Sequence, residues 1–374
     1  MKTVIMLLSN SFEPDIRVLK ECVTLIKNNY LVEVVCWDRE AKLKKIEYLK
    51  GIKITRIQLA AAYGKGITSI LKYVKFYIYM FVILIKRKID ILHCHDFEMF
   101  IFGCLISIIK KCSLIYDAHE VEYFVHLPEM YRKLVSRIEK VIIKKADLII
   151  AVNKIQMVKY QRILPGSKKI IELRNYPNKV FLNKKRIIKN KEKIVIGFVG
   201  YIQDKMGFER FINIFNKLIV RYQNIQFLII GKIHPIYSKS FNQLIERNNN
   251  IKIKKYIKYY ELNKYYNQID ISIMLYDNIP KYMSSTPTKL FESMAQSIPV
   301  IATPIGDVKN IVNKHKCGYI VSFENDEELE KKLLKLIDNK LIRRTIGMRG
   351  YLAAQKYYIW EKQENKLIEA YNHI

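Results

Sequence analysis

Two consecutive α/β units, each built on a parallel sheet, are predicted by three features of this sequence. Short apolar runs alternate with longer helix-period segments from end to end, which is the pattern that strand–helix–strand crossovers require. The alternation pauses once, over the polar and basic stretch 178–193, and then restarts. The 374 residues suit two domains of ordinary size, and with half of them hydrophobic each domain can bury a core.

In the first half, strands are expected at 3–8, 32–37, 52–57, 89–93, 113–116, 148–152 and 169–173, with helices between them such as 16–27 and 131–145. The opening apolar run resembles an export signal but is too short. Glu13, Asp15 and Arg17 follow at once, so it reads as a first buried strand. After the bridge, strands are expected at 194–199, 225–230, 251–254, 271–275, 300–302 and 319–321. Such units fit two Rossmann-like domains facing each other, with ligands beyond the carboxyl ends of the strands. The expected division is 1–177, a linker over 178–193, 194–355, and a terminal segment over 356–374.

Composition narrows the partners. No uncharged apolar run reaches about 18 residues, so no spanning helix is expected. The six cysteines show no Cys-x-x-Cys spacing, and reduced, cytoplasmic thiols are expected. The net charge is +30, with 31 basic and 17 acidic residues in 1–175 and 34 and 18 in the rest. A surplus spread over both halves implies anionic partners: a nucleotide, a phospholipid surface or nucleic acid. No aromatic-basic recognition motif accompanies it, so nucleic acid is not expected.

The most informative stretch is 286–303. It reads as a capped helix followed by a buried strand, with Thr286 as N-cap and Pro287 in the first helical position. A helix end of this kind leaves free N–H groups for a phosphate. Lys289 and Glu292 lie three apart, so they share one helix face. The cation suits a phosphate and the carboxylate suits a ribose diol; a solvated surface pair is the plainer alternative. The wording Pro287, Lys289-Leu290-Phe291-Glu292, Met294-Ala295 and then Pro299 to Ala302 resembles the donor-binding segment of glycosyltransferase family 4, a retaining GT-B family. The resemblance implies an α/β GT-B fold, two Rossmann-like domains facing a cleft. It implies an N-terminal acceptor domain, a C-terminal nucleotide-sugar domain and a last helix, about 360–371, returning to the first.

Other matches follow in order. Tyr116-Asp117-Ala118-His119-Glu120 resembles a family phrase at a strand end, which makes His119 the histidine beside the reacting sugar and puts Asp117 on the acceptor side. His93-Cys94-His95-Asp96 places two histidines on one strand face. They could suggest zinc. The phrase also resembles the family's Ala-His-Asp strand end, which places His95 and Asp96 on the acceptor side and needs no metal. Glu13-Pro14-Asp15-Ile16-Arg17-Val18 resembles the family's Asp-x-Arg-Val phrase, without the glycine pair common before it. Arg17 either faces the acceptor or forms a structural salt bridge. In the second half, Gly197-Phe198-Val199-Gly200 leads to Lys205 and Gly207. By resemblance, Gly200 and Lys205 approach the donor diphosphate, Gly231 lies near the base, and Gly306 near a phosphate or sugar. Asn175 matches an interdomain phrase. Two departures stand out: Tyr201 occupies the place of a diphosphate-binding Arg, and Ser284 that of the first glutamate of the family's pair.

Residues 67–85, flanked by Lys65 and the run Lys86-Arg87-Lys88, are aromatic and aliphatic with Lys72 and Lys75 inside. They read either as a buried crossover helix or as an interfacial helix on an anionic membrane. The basic helix at 131–145 offers a second such face. The resemblance thus implies a retaining transfer from a nucleotide-diphosphate sugar to a glycan hydroxyl, with a polyprenyl-diphosphate-linked acceptor at the inner face of a membrane. No cofactor is implied. The residues expected to carry the chemistry are His119, Lys205 and Glu292, with Lys289 on the donor. Rival readings are a non-catalytic protein that kept the fold to bind a membrane or nucleic acid, which the charge favours, and a sugar-nucleotide epimerase.

Overall fold

The structure is a computed structural model. It describes residues 1–13, 15–61, 66–119, 129–167, 169–183, 193–235, 248–255 and 257–374, with the backbone alone over 66–70. Pro14, Lys65, Glu120 and most of the bridge, 184–192, lie outside the described residues. The chain divides into two units, Met1–Asn175 with Gln363–Ile374, and Tyr176–Lys362.

The first unit holds an eight-stranded sheet. Its strands are β1 (Thr3–Leu8), β2 (Leu31–Asp38), β3 (Ile46–Leu49), β4 (Ile52–Gln58), β5 (Ile91–His95), β6 (Ser113–Ala118), β7 (Leu148–Ala151) and β8 (Ile170–Glu172). Their order is β3-β4-β2-β1-β5-β6-β7-β8, and every pairing is parallel except β3 with β4. Strand β3 is an addition to the expected set. Its four residues carry no buried face, and Lys50 and Gly51, both at positive φ, turn it back into β4. Strands β5 and β6 each run two residues past the expected ends, and His95 and Asp117 pair with each other across them.

Five helices cross over this sheet: α1 (Ile16–Lys27), α2 (Gly66–Ile85), α3 (Asp96–Lys110), α4 (Glu129–Ile142) and α5 (Lys154–Ile163). Helix α1 is capped by Asp15, whose side chain accepts from Arg17 N and Val18 N. Helix α2 is half-buried. Phe76, Met80 and Leu84 form a buried stripe, while Leu71, Val74, Ile78, Val82 and Ile85 face outward. No described helix is long and apolar enough to cross a membrane.

The second unit holds six parallel strands in the order β11-β10-β9-β12-β13-β14. They are β9 (Ile194–Val199), β10 (Ile225–Ile230), β11 (Ile251–Lys254), β12 (Ile271–Met274), β13 (Val300–Ala302) and β14 (Gly318–Ile320). The boundaries differ from the expected 177 and 356. Trp360 is fully buried and its N–H donates to Pro177 O at 2.8 Å, which keeps both segments in the second unit. The chain rejoins the first unit at Gln363, and the helix Glu364–Asn372 packs there on α1. All six cysteines are free, and burial pushes the thiols of Cys36 and Cys317 up to about 12.

Candidate active site

In the first unit, α1 and the ends of β5 and β6 bring together a buried polar cluster. Arg17 points its guanidinium at Asp117 in a fork, with Nη2 to Oδ1 at 2.8 Å and Nε to Oδ2 at 3.2 Å, and gives Nη1 to Leu173 O at 2.8 Å. One turn along α1, Glu21 Oε1 lies 3.2 Å from Arg17 Nε. Burial opposes the ionisation of Asp117, but Arg17 and then His119 hold its carboxyl well below the usual range. Glu21 is pushed well above it, first by burial and then by Asp117. Of this pair, the surroundings therefore favour the charge on Asp117 over Glu21.

His119 sits at the edge of this cluster with 16% of its side chain exposed. Its Nε2 is 2.9 Å from His95 Nδ1 and 3.3 Å from Asp117 Oδ2. Asp96, the first residue of α3, adopts a left-handed φ of +67°, and its Oδ1 accepts from His119 N at 3.2 Å. Burial works against a charge on the His119 ring, but Asp96 and then Asp117 outweigh it and raise its pKa to about 10. His119 is thus an imidazolium at neutral pH. Burial raises Asp96 to about 6, so it is largely ionised there.

Of the side chains expected on the acceptor side, Arg17, His95 and Asp117 are buried and turned toward one another, while Asp96 keeps 27% exposure. Strands β5 and β6 were expected to end two residues sooner, which put His95 and Asp117 nearer the cleft, whereas α1, which carries Arg17, has the expected bounds. Of the two readings of Arg17, the internal salt bridge is the one observed. Glu21 and the buried Tyr371 of the last helix were not anticipated. The i,i+4 spacing from Arg17 was the available signal for Glu21. Glu21, His93, His95 and Asp117 offer four ligand atoms within 4.8 Å of one another. The Arg17 guanidinium, fixed against Asp117 and Glu21, already holds a positive charge there.

In the second unit the site lies beyond the carboxyl ends of β9, β12 and β13. The helix Thr288–Ala295 starts one residue later than expected, with Pro287 at its cap position. Thr286 instead accepts from Asp307 N through Oγ1 at 3.3 Å, pinning its loop to the Gly306 loop. Lys289 and Glu292 share a face, but that face is buried. Lys289 Nζ lies over the Phe198 ring at 3.9 Å and the Tyr276 ring at 5.0 Å, next to Gly200. Burial lowers its pKa to about 7, with Glu292 partly offsetting the fall. Glu292 Oε2 accepts from Tyr266 OH at 2.7 Å.

Lys205 is exposed at φ +63°. Its backbone is fixed by Asp204 Oδ1, which accepts from Lys205 N at 2.9 Å, and by Asp277 N, which donates to Lys205 O at 2.9 Å. Gly231 and Gly306 have positive φ, and each is glycine for a reason internal to the unit. A Cβ on Gly231 would lie 2.1 Å from Gly200 O, and one on Gly306 would lie 1.9 Å from Ser285 O. These glycines pack loop on loop. Tyr201 is 44% exposed with its ring 6.2 Å from that of His234. Ser284 gives its hydroxyl to Pro280 O at 3.1 Å and ends a short helix. The aromatic partners of Lys289 were missed because a cation–π contact has no sequence spacing.

Comparison with known proteins gives each unit its own match. The model for Glycosyltransferase Family 4 matches residues 17–162, and that for Glycosyl transferases group 1 matches 180–352. An uncharacterized 41.2 kDa protein of the Klebsiella pneumoniae cps region is 24% identical over 70% of this chain and 74% of its own length. CapM of Staphylococcus aureus, a capsular polysaccharide biosynthesis glycosyltransferase, is 25% identical over 46% of each chain. TuaH of Bacillus subtilis, a putative teichuronic acid biosynthesis glycosyltransferase, is 26% identical over 57% of this chain and 54% of its own. Among solved structures, sucrose-phosphate synthase from Thermosynechococcus elongatus superposes with a TM-score of 0.76 at 16% identity, covering 99% of this chain and 98% of that one. Anabaena HepE in complex with UDP and glucose superposes with 0.74 at 14%, covering 99% of each. With a family model on each unit and the GT-B fold shared from end to end, the chain belongs to the family 4 type of glycosyltransferase.

Proposed function

We propose that this glycosyltransferase moves a sugar, with retained anomeric configuration, from a nucleotide-diphosphate sugar to a hydroxyl of a lipid-linked glycan, without a metal. The observation that carries this reading is Lys289: a buried cation resting on aromatic faces, forming no ion pair among the described residues, beside the Gly200 loop. A buried cation in that state is costly until an anion reaches it. A departing diphosphate is such an anion, and donors aimed at developing charge in a dry site are the largest catalytic term in many enzymes. Lys205 adds a second, exposed cation. Retention is carried over from the family resemblance. Anabaena HepE, which shares the fold, has been solved with UDP and with UDP-glucose, which supports a uridine donor as the first to try. In this reading Glu292 meets the ribose once Tyr266 yields, and the first unit supplies the charged His119 and the acceptor.

The membrane partner rests on α2, α3 and α4, which pack side by side. Ile78 and Val82 of α2, Leu105 and Ile108 of α3, and Leu134 and Val141 of α4 are all exposed. Lys75, Lys111, Lys133 and Lys140 stand exposed among them. An apolar face with a basic rim suits the interface of an anionic bilayer. The relatives in capsular and teichuronic acid synthesis favour a glycan acceptor; its polyprenyl-diphosphate link is carried over from the family resemblance and the positive charge.

The test is a thermal-shift screen against UDP, GDP, ADP and their sugar conjugates, followed by transfer assays with lipid-linked acceptors. A nucleotide at about 100 times its dissociation constant should stabilise by roughly 2.7 kcal/mol. Sugar-nucleotide turnover without any acceptor would identify an epimerase instead. No shift with any nucleotide would favour a protein that kept the fold for binding. Leu105→Glu with Ile108→Glu should abolish binding to phosphatidylglycerol vesicles while thermal stability is kept; undiminished binding removes this face from the membrane.

A further inference from the structure

We infer that His95, backed by His93 and Tyr371, is a positioning residue for His119. It holds the His119 ring with Nε2 turned inward, so that the nitrogen presented outward is a charged Nδ1–H. The use of that N–H in sugar transfer rests on the proposed function; the ring geometry does not.

Several hydrogen bonds fix the direction of each ring. His119 Nε2 reaches His95 Nδ1 at 2.9 Å, closer than Asp117 Oδ2 at 3.3 Å. An imidazolium donates from both nitrogens, so His95 must accept at Nδ1 and carry its own proton on Nε2. Burial, then His93, hold His95 neutral, so it carries one proton; its Nδ1 also lies 3.4 Å from Asp117 Oδ2, and its Nε2 is buried without a hydrogen-bond partner among the described residues. Behind it the His93 ring stacks at 4.3 Å and 21°. His93 Nδ1 lies 2.6 Å from Tyr371 OH, and burial keeps that phenol protonated as a donor. His93 then also carries its proton on Nε2, facing Asp117 Oδ2 at 3.6 Å and Glu21 Oε2 at 4.0 Å. Both histidines of β5 thus take the same tautomer.

The charges around the ring close as well. Arg17 offsets Asp117, Asp96 offsets His119, and burial with Asp117 pushes the Glu21 carboxyl well above the usual range. Among the described residues, the groups around His119 are Arg17 and Glu21 from α1, His93 and His95 from β5, Asp96 from α3, Asp117 from β6, and Tyr371 behind them. With Nε2 committed inward and the ring protonated, His119 is a hydrogen-bond donor and cannot serve as a general base. The Nδ1 edge beside Asp96, whose Oδ2 is 3.8 Å away, is what a sugar hydroxyl would meet.

The experiment is NMR of the histidine ring nitrogens in the full 15N-labelled chain, from about pH 6 to about pH 9. The expected result is His119 protonated on both nitrogens to the upper end of that range, and His95 neutral with its proton on Nε2. In His95→Leu the His119 pKa should fall by about one unit, and His95→Asn, whose amide oxygen replaces Nδ1, should restore it. A proton on His95 Nδ1, or a His119 that titrates alike in His95→Leu and the unchanged chain, overturns the assignment. Should His95→Leu fail to fold, the ring tautomers of the unchanged chain decide alone. Added zinc is the second arm: a stoichiometric shift of both His93 and His95 would mark a metal centre and overturn the relay. A chain with these tautomers that binds no nucleotide sugar keeps the relay and loses the proposed function.

Discussion

The two units place charged side chains beyond the carboxyl ends of parallel sheets, but they balance them in opposite ways. In the first unit each cation has its own internal carboxylate: Arg17 has Asp117, and His119 has Asp96. In the second, Lys289 rests on Phe198 and Tyr276 with no ion pair among the described residues. A fork-paired charge is part of the architecture, because removing either partner strands the other in a low dielectric. A charge held only by ring faces is left available to a ligand. The two kinds of site should answer differently to the same substitution.

The largest effect is expected where the pairing is internal. Arg17→Met should cost about 3–5 kcal/mol in chemical denaturation, since Asp117 is left buried and uncompensated, and adding Asp117→Asn should recover much of it. The pH dependence has a definite sign. Asp117 is held below its ordinary value, so its contribution is present above about pH 3.9 and is lost as the pH falls further. In Arg17→Met that acid-side loss should begin at higher pH. An Arg17→Met chain of unchanged stability would remove the contrast.

Lys289→Met should do the reverse. Without a charge to bury, the unliganded chain should gain about 1 kcal/mol or more at neutral pH, read as a higher Tm. Affinity for a nucleoside diphosphate should fall about 10–100-fold, the worth of a hydrogen bond to a charged group. A destabilised Lys289→Met would mean that the lysine is a structural member of its unit.

A smaller and sharper effect concerns protons. With its pKa lowered to about 7, Lys289 is largely neutral above that pH in the folded chain. The cost of burying its charge grows as the pH falls below the ordinary value of about 10.4 and is complete below about 7. A bound diphosphate restores the charge, so binding above pH 7 should take up a proton. Affinity should then fall by up to about tenfold per pH unit. Calorimetry in buffers of different ionisation enthalpy reads the uptake directly; none at pH 8 would contradict the assignment. The smallest effect is that of Tyr266→Phe, which removes the 2.7 Å bond to Glu292 and should cost about 1 kcal/mol of stability.

Much of this was legible in the sequence because it is periodic or worded. The parallel strands follow from apolar runs, and the phrases around His119 and Lys289 from a family resemblance. Strand β3 was not legible, since an exposed edge of four residues has no buried face to pattern. The depth of the polar cluster was also hidden. Two more paired residues on β5 and β6 carried His95 and Asp117 from the expected strand ends into the paired sheet, and an end moved that far turns a residue from contact to support. The glycines at 231 and 306 marked tight backbone approach, but their partners, Gly200 and Ser285, are distant in sequence. The cradle of Lys289 is likewise drawn from two different strand ends.

The most direct test of the contrast is a titration of UDP, GDP and ADP into the unchanged chain and into Lys289→Met at one pH near 7. One diphosphate should bind the unchanged chain and bind Lys289→Met at least about tenfold more weakly, while the unliganded variant melts higher. Equal affinity in the two proteins, or a variant that melts lower, would contradict it.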